Sequence, residues 1–191
     1  MKPFDKVYRH YNTFMHNFKL FRVDQTLAFL NPGKDDTVAD LGGGTGVYAT
    51  AIARVCKKVH LFDESAKMLS IAEAQKPGNM IVHQCDITAT PVADGCFDAI
   101  LLSDVFHHVR DQRKLIDEIA RIIKRDGTFV IMDFDARHLV TKCLGFFEQF
   151  LFGALHYKSR TSIEADLESA GFLKERELLE APLFIQRWKK Q

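Results

Sequence analysis

Apolar positions in the middle of this chain recur with two alternating periods. Short β-branched or apolar runs occur at Thr37–Leu41, Val59–Phe62, Met80–His83, Phe97–Ser103 and Thr128–Phe134. Between them the spacing is helical. Val47, Ala51, Ile52 and Val55 form one stripe, Met68, Leu69, Ile71 and Ala72 a second, and Leu115, Ile116, Ile119, Ile122 and Ile123 a third. The third has Asp111 placed as an N-cap and Gly127 just past its end. Strands alternating with helices of this length predict βαβ units and a parallel sheet covered on both faces. The unbroken apolar run Ala99-Ile100-Leu101-Leu102 fits a strand buried on both sides.

The last third differs. Helical spacing runs from about Arg137 to Tyr157 and again from Ser162 to Ala170. Two strand-like segments follow, Leu173–Leu179 and Phe184–Trp188, separated only by Ala181-Pro182 and their neighbours. A parallel crossover needs about a dozen residues or more, so this pair is predicted antiparallel. The expected fold class is α/β: a doubly wound, mostly parallel sheet with an antiparallel hairpin at its C-terminal end. One domain accounts for the chain, with a helical cap at 1–30, a ligand-binding core at 36–134, a helical lid at 137–171 and a hairpin at 172–191.

Composition narrows the class. The chain has 191 residues, 47% hydrophobic and 27% charged, with 16 Phe, enough for a sizeable single core. Lys and Arg number 26 against 25 Asp and Glu, a net charge of +1 that gives no drive toward nucleic acid or an anionic membrane. The most apolar stretch, Leu139 to Tyr157, is interrupted by Lys142, Glu148, Gln149 and His156, so no stable membrane insertion is expected. The N-terminal MKPFDKVYRHYNTF has no apolar core of a secretory signal. Cys56, Cys85, Cys96 and Cys143 form no C-x-x-C pair and read as small buried hydrophobes in a reducing compartment. The expected location is cytoplasmic.

The most informative stretch is Val38-Ala39-Asp40-Leu41-Gly42-Gly43-Gly44-Thr45-Gly46, a strand running into glycines and then a helix. Such a loop lets backbone approach a ligand closely, at a helix N-terminus with unpaired N–H groups. No Lys follows, which excludes a P-loop. A dinucleotide fingerprint needs glycine at position 47, and that residue is Val47. Asp40 would repel a pyrophosphate and could face an ammonium, so a cationic, non-phosphorylated nucleoside fits better. Asp63 lies 23 residues after Asp40, at the end of the second strand, where an acidic residue accepts from ribose hydroxyls or caps the next helix. Past the third strand, Asp86 could accept from an exocyclic amine, with Met68 and Ile87 as apolar contacts to the ring.

In order and spacing, Asp40-Leu41-Gly42-Gly43-Gly44-Thr45-Gly46, Asp63, Asp86, Phe97-Asp98-Ala99-Ile100 and Asp126-Gly127-Thr128-Phe129 resemble the class I S-adenosylmethionine-dependent methyltransferases. The resemblance covers residues 36–134. Phe97 to Phe134 is similar to the small-metabolite members, with Lys124-Arg125-Asp126-Gly127 in place of their Lys-Pro-Gly-Gly turn. It implies a Rossmann-like seven-stranded sheet whose last strand is antiparallel, with S-adenosylmethionine as cofactor and S-adenosylhomocysteine as product. It also implies that Gly42, Gly43 and Gly44 pass under the methionine part with Asp40 near its amino group. Asp63 would hold the ribose and Asp86 the adenine amine. Ser103 would end the fourth strand where donor and acceptor meet. Tyr11-Asn12-Thr13-Phe14-Met15 and Phe21-Arg22 more narrowly resemble the ubiquinone/menaquinone C-methyltransferases, which makes Tyr11 a further cofactor-site candidate and a quinone precursor one candidate acceptor.

Methyl transfer from a sulfonium is an in-line displacement that depends chiefly on alignment. A base is needed only if the acceptor sheds a proton. His107 and His108 are the candidate catalytic residues, with Asp104 as an alternative base or substrate anchor. No metal site is expected, because adjacent histidine side chains diverge on most backbones and no further ligand set is near. Two apolar segments could cap the site. Phe4, Tyr8 and Tyr11 share one helix face, and Val140, Cys143, Leu144, Phe147, Leu151 and Leu155 form a stripe widened by Phe146 and Phe150. The Phe excess suits a greasy pocket for an apolar or aromatic small-molecule acceptor, a homodimer surface or transient membrane contact. A non-catalytic cofactor-binding regulatory module is the competing reading. An RNA methyltransferase is a third, disfavoured by the neutral charge.

Overall fold

A computed structural model of the chain describes residues 22–139, 141 and 154–191. Tyr11, the aromatic segment Phe4 to Phe21 and most of the stripe from Val140 to Leu155 lie outside the described residues. In order, the elements are α1 (Val23–Leu30), β1 (Thr37–Leu41), α2 (Val47–Ala53), β2 (Lys58–Asp63), α3 (Ala66–Gln75), β3 (Met80–Gln84), β4 (Phe97–Ser103), a 3-10 turn (Phe106–His108), α4 (Gln112–Ile122), β5 (Ile123–Phe134), α5 (Arg160–Ser169), β6 (Phe172–Glu180) and β7 (Leu183–Lys190). Among the described residues, no helix is long and apolar enough to cross a membrane.

The strands form one seven-stranded sheet in the order β3-β2-β1-β4-β5-β7-β6. Neighbours from β3 through β5 pair in parallel, and β7 runs antiparallel to both β5 and β6. The predicted α/β class, the mostly parallel sheet and the closing antiparallel hairpin are all present.

Alternation along each central strand builds two cores. Val38, Leu101, Val130 and Met132 face one side, with Phe29 of α1, Ile52 of α2 and Leu69 of α3. Leu41, Ile100, Leu102, Phe129 and Ile131 face the other, with Leu115, Ile116, Ile119 and Ile122 of α4, Ile163 and Leu167 of α5, and Trp188. Asp111 caps α4 as predicted, its carboxylate accepting from the Lys114 backbone N–H at 3.0 Å. Asp111→Ala is expected to lower the unfolding free energy by about 1 kcal/mol, read from a urea transition.

Three boundaries differ from the periodicity. α4 does not run on to Gly127. Ile123 turns extended and pairs with Phe97, so β5 begins there and Gly127 lies inside the strand. A β-branched residue beside an open strand edge gains more from pairing than from one more helical turn. Val55, placed on the first stripe, lies beyond the end of α2 and is exposed. The helical run expected to reach Tyr157 does not do so. Residues 154–159 have no regular structure, and the next helix starts at Arg160 with Ser159 as its cap.

Candidate active site

The sheet grows from β1 outward to β2 and β3, then switches to the other side at β4. Ligands of doubly wound sheets sit outside the carboxyl ends of strands at such a switch. A cavity of about 450 Å³ lies there. Its wall carries Asp40 and Gly42–Gly44 from the β1 exit, Asp63 from β2, Asp86 and Ile87 from past β3, and Ser103, Asp104 and His108 from past β4. Met68, from the first turn of α3, completes the apolar side with Ile87. Of the sequence-predicted candidates within the described residues, all but His107 meet in this one cavity.

Two glycines of the loop, Gly42 and Gly43, have no room for side chains. Gly42 sits at φ +71°, and a Cβ there would lie 2.6 Å from Val105 Cγ2. A Cβ on Gly43 would lie 2.5 Å from Asp40 Oδ2. The Gly42 N–H donates to the Phe62 carbonyl at 2.7 Å, which swings the loop over the end of β2. There Asp63 fixes it: Oδ2 accepts from the Gly44 N–H at 2.9 Å and Oδ1 from the Ser65 N–H at 2.8 Å. Ser65 in turn caps α3, accepting from the Met68 N–H at 3.2 Å. The helix cap is therefore Ser65 and not Asp63, whose carboxylate instead ties the glycine loop to that capping residue at the cavity wall. Burial raises the Asp63 pKa despite those donors.

Asp40 lines the cavity and is 1% exposed. The Ala49 N–H donates to it, yet burial, with the nearby Asp63 charge, pushes its pKa up to about 7. Its Oδ2 has no hydrogen-bond partner among the described residues. A buried carboxylate with an orphaned oxygen on a cavity wall is a receptor for a cationic donor. Asp86 is exposed and accepts from the Thr88 N–H at 2.8 Å, which leaves the rest of its carboxylate facing the cavity. The donor and acceptor set therefore fits a nucleoside carrying an ammonium group.

The two histidines part company. His108 is on the cavity wall; His107 is 1% exposed and lies behind it. His107 Nδ1 is 2.7 Å from Asp133 Oδ1, and its ring stacks on Tyr157 at 4.4 Å between centroids. The expected divergence of the pair does not occur. In the 3-10 turn their rings lie 4.1 Å apart at 42°. Burial, then the neighbouring His107, holds the His108 pKa well below the usual histidine value, so its imidazole is neutral at pH 7. The His156 N–H bonds the His107 carbonyl at 2.7 Å, and Gln112 Nε2 bonds the His156 carbonyl at 2.6 Å, pinning the 154–159 segment beside the turn.

Sequence reasoning missed Tyr48. It lines the cavity, is 6% exposed, and its hydroxyl accepts from the Arg22 backbone N–H at 3.0 Å. The available signal was its place in the first turn of the helix that follows the glycine loop. Arg110 and Lys114 at the cavity rim were also missed.

A family model described as a methyltransferase domain matches residues 39–131, the segment that supplies β1 through most of β5. The chain belongs to the class I S-adenosylmethionine-dependent methyltransferases. A demethylmenaquinone methyltransferase of Thermotoga maritima is 36% identical over 115 residues, covering 59% of this chain and 48% of that protein. A ubiquinone/menaquinone biosynthesis C-methyltransferase of Francisella philomiragia is 28% identical over 169 residues, covering 83% of this chain and 67% of that protein. The chain spans about half the length of the first of these curated relatives. An S-adenosylmethionine-dependent methyltransferase structure from Thermotoga maritima superposes with a TM-score of 0.82, covering 99% of each chain at 18% identity, which shows a shared fold.

Proposed function

We propose that this chain binds S-adenosylmethionine and catalyses methyl transfer to a small apolar or aromatic acceptor. The observation that carries the reading is the convergence of Asp40, the glycine loop, Asp63 and Asp86 on one cavity at the switch point. When bound, the cofactor supplies an electrophilic methyl group on a sulfonium. Asp40 would receive its ammonium, Asp63 the ribose hydroxyls and Asp86 the adenine amine, with Met68 and Ile87 against the ring. These contacts follow the sheet from β1 to β3 and direct the reacting end toward β4. A set that holds donor and acceptor in line near 3 Å can remove roughly 7–11 kcal/mol of barrier.

The relatives that act on quinones make a quinol ring the first acceptor to try. The cavity wall continues from the groups proposed for the cofactor to Ser103, Asp104 and His108 at the β4 exit, where an acceptor would stand. Calorimetric titration tests the reading, with S-adenosylmethionine, S-adenosylhomocysteine and NADH as ligands. Micromolar binding of both adenosyl ligands and none of NADH is the expected result. Folded protein that binds neither adenosyl ligand would overturn it.

A further inference from the structure

Asp86 and Ile87 stand at the head of the connection from β3 to β4, residues 85–96, which has no regular structure. The Cys85 N–H donates to the Asp63 carbonyl at 3.1 Å, and the Asp86 carbonyl accepts from the Ala89 N–H at 3.1 Å, closing a turn at that end. From Thr90 onward the connection is bonded to the last turns of α4. Thr90 is 6% exposed, and its N–H donates to Glu118 Oε1 at 2.8 Å. Its hydroxyl donates to the same oxygen. Arg121 Nη2 donates to the Thr90 carbonyl at 3.2 Å, and Nη1 to the Val92 carbonyl at 2.9 Å and to the Asp94 carboxylate. The Gly95 and Cys96 N–H groups then reach the Arg121 and Ile122 carbonyls, each at 2.9 Å. Arg121 also donates to both oxygens of Glu118, at 2.7 and 2.8 Å. Those Arg121 bonds first, and then, against burial, the ones from Thr90, hold the Glu118 pKa down to about 2.

A nearly buried carboxylate is a poor way to stabilise a helix, because apolar residues of similar volume pack there without the desolvation cost. Here its bonds, and those of its partner, go to one irregular segment that carries cavity residues. Asp86, Ile87 and Thr88 line the cavity; Glu118 and Arg121 do not. The Asp86 side chain is exposed, so its direction comes from the backbone of the turn and not from packing. Thr90 lies four residues further on, so a shift of Thr90 moves the turn that aims the Asp86 carboxylate. We propose that Glu118 and Arg121 are positioning residues for base recognition: through Thr90, Val92 and Asp94 they hold Asp86 where it selects adenine over a purine that lacks the exocyclic amine. The inference rests on the cofactor reading above.

The test is calorimetric titration with S-adenosylhomocysteine and with S-inosylhomocysteine, in which a carbonyl oxygen replaces the amine. The wild type is expected to prefer the adenine ligand by about tenfold to a hundredfold, the range for a hydrogen bond to a charged acceptor. Arg121→Lys keeps the charge but not the planar fork that reaches three acceptors, and should cut that preference to about threefold or less. Glu118→Ala should bring it within about twofold of unity, through weaker binding of the adenine ligand alone. Glu118→Gln, which keeps an acceptor for Thr90, should retain more of the preference than Glu118→Ala. Arg113→Met removes an exposed ion pair with Asp117 on the same helix and should leave the preference unchanged. Asp86→Ala combined with Arg121→Lys should lose no more preference than Asp86→Ala alone, because the clamp acts through Asp86. A merely structural role would lower both affinities together and leave their ratio intact. Wild-type ratios in both Glu118→Ala and Arg121→Lys overturn the assignment, as does a further loss in the double variant. Should Glu118→Ala fail to fold, Arg121→Lys and the double variant decide. A wild type that binds both ligands equally also overturns it. A wild type that binds neither ligand overturns instead the reading on which it rests.

Discussion

Asp63→Ala should weaken S-adenosylmethionine binding by about a thousandfold or more while leaving the sheet folded. Two separate losses add. The carboxylate accepts from Gly44 and Ser65 within a half-buried turn, and its removal leaves both N–H groups without that acceptor. Each orphaned donor costs about 1–3 kcal/mol, spent here on disordering the glycine loop. Hydrogen bonds from the ribose to a charged acceptor are worth about 1.5–3 kcal/mol each. At about 1.4 kcal/mol per factor of ten, the sum exceeds three decades. Calorimetry on wild type and variant measures it, with circular dichroism as the check on folding. Asp63→Asn should fall between them, because its carbonyl oxygen can replace only one of the two anionic acceptors. Equal affinities for wild type and Asp63→Ala would remove Asp63 from the site.

The second large effect belongs to Asp40 and depends on pH. Its pKa of about 7 in the free protein lies above the unfolded value near 4. Between those values the folded state holds a proton that the unfolded state has lost. The free protein therefore loses stability from this group as pH rises through that window. An ammonium at Oδ2 reverses the preference, favouring the ionised form. Cofactor binding should strengthen as pH rises from about 6 to 8 and release a proton near pH 7, seen as a dependence of the calorimetric heat on buffer ionisation. Asp40→Asn keeps an acceptor for the Ala49 N–H but removes the charge. It should lower affinity by about a hundredfold, within the range for breaking a buried charge pair, and flatten the pH dependence. A wild type whose affinity does not change across that window would remove the ammonium from Oδ2.

Periodicity was enough to place the sheet. The parallel strands are buried on both faces, so their apolar runs are continuous, and short turns beside Gly and Pro mark their ends. It failed where two periods agree for a residue or two. Ile122-Ile123 continues a helical stripe as well as it begins a strand, and only the pairing of Ile123 with Phe97, distant in sequence, decides between them. The proposed cofactor half of the site was legible because most of its residues stand at or just past the end of a strand, where the sheet fixes their place. The acceptor half was less so. Tyr48 looks like any aromatic residue on a buried helix face. The separation of His107 from His108 depends on a 3-10 turn and on Asp133, 26 residues away. Adjacent residues in such a turn carry no periodic signal that says which of them faces the ligand.

The place of β7 has a consequence for how the chain folds as it leaves the ribosome. It is the last strand in sequence, yet it lies inside the sheet, between β5 and β6. Until β7 has emerged, β5 presents an open edge of apolar backbone, and the face that Trp188 seals stays incomplete. β6 cannot close that edge, because its only partner in the sheet is β7. The nascent chain thus carries an unpaired apolar strand from the completion of β5 at Phe134 until β7 begins at Leu183, the kind of edge that recruits chaperones or a second chain. Stalling translation before Leu183 should therefore yield a cofactor-free, aggregation-prone intermediate, even though every residue assigned to cofactor binding has already been made.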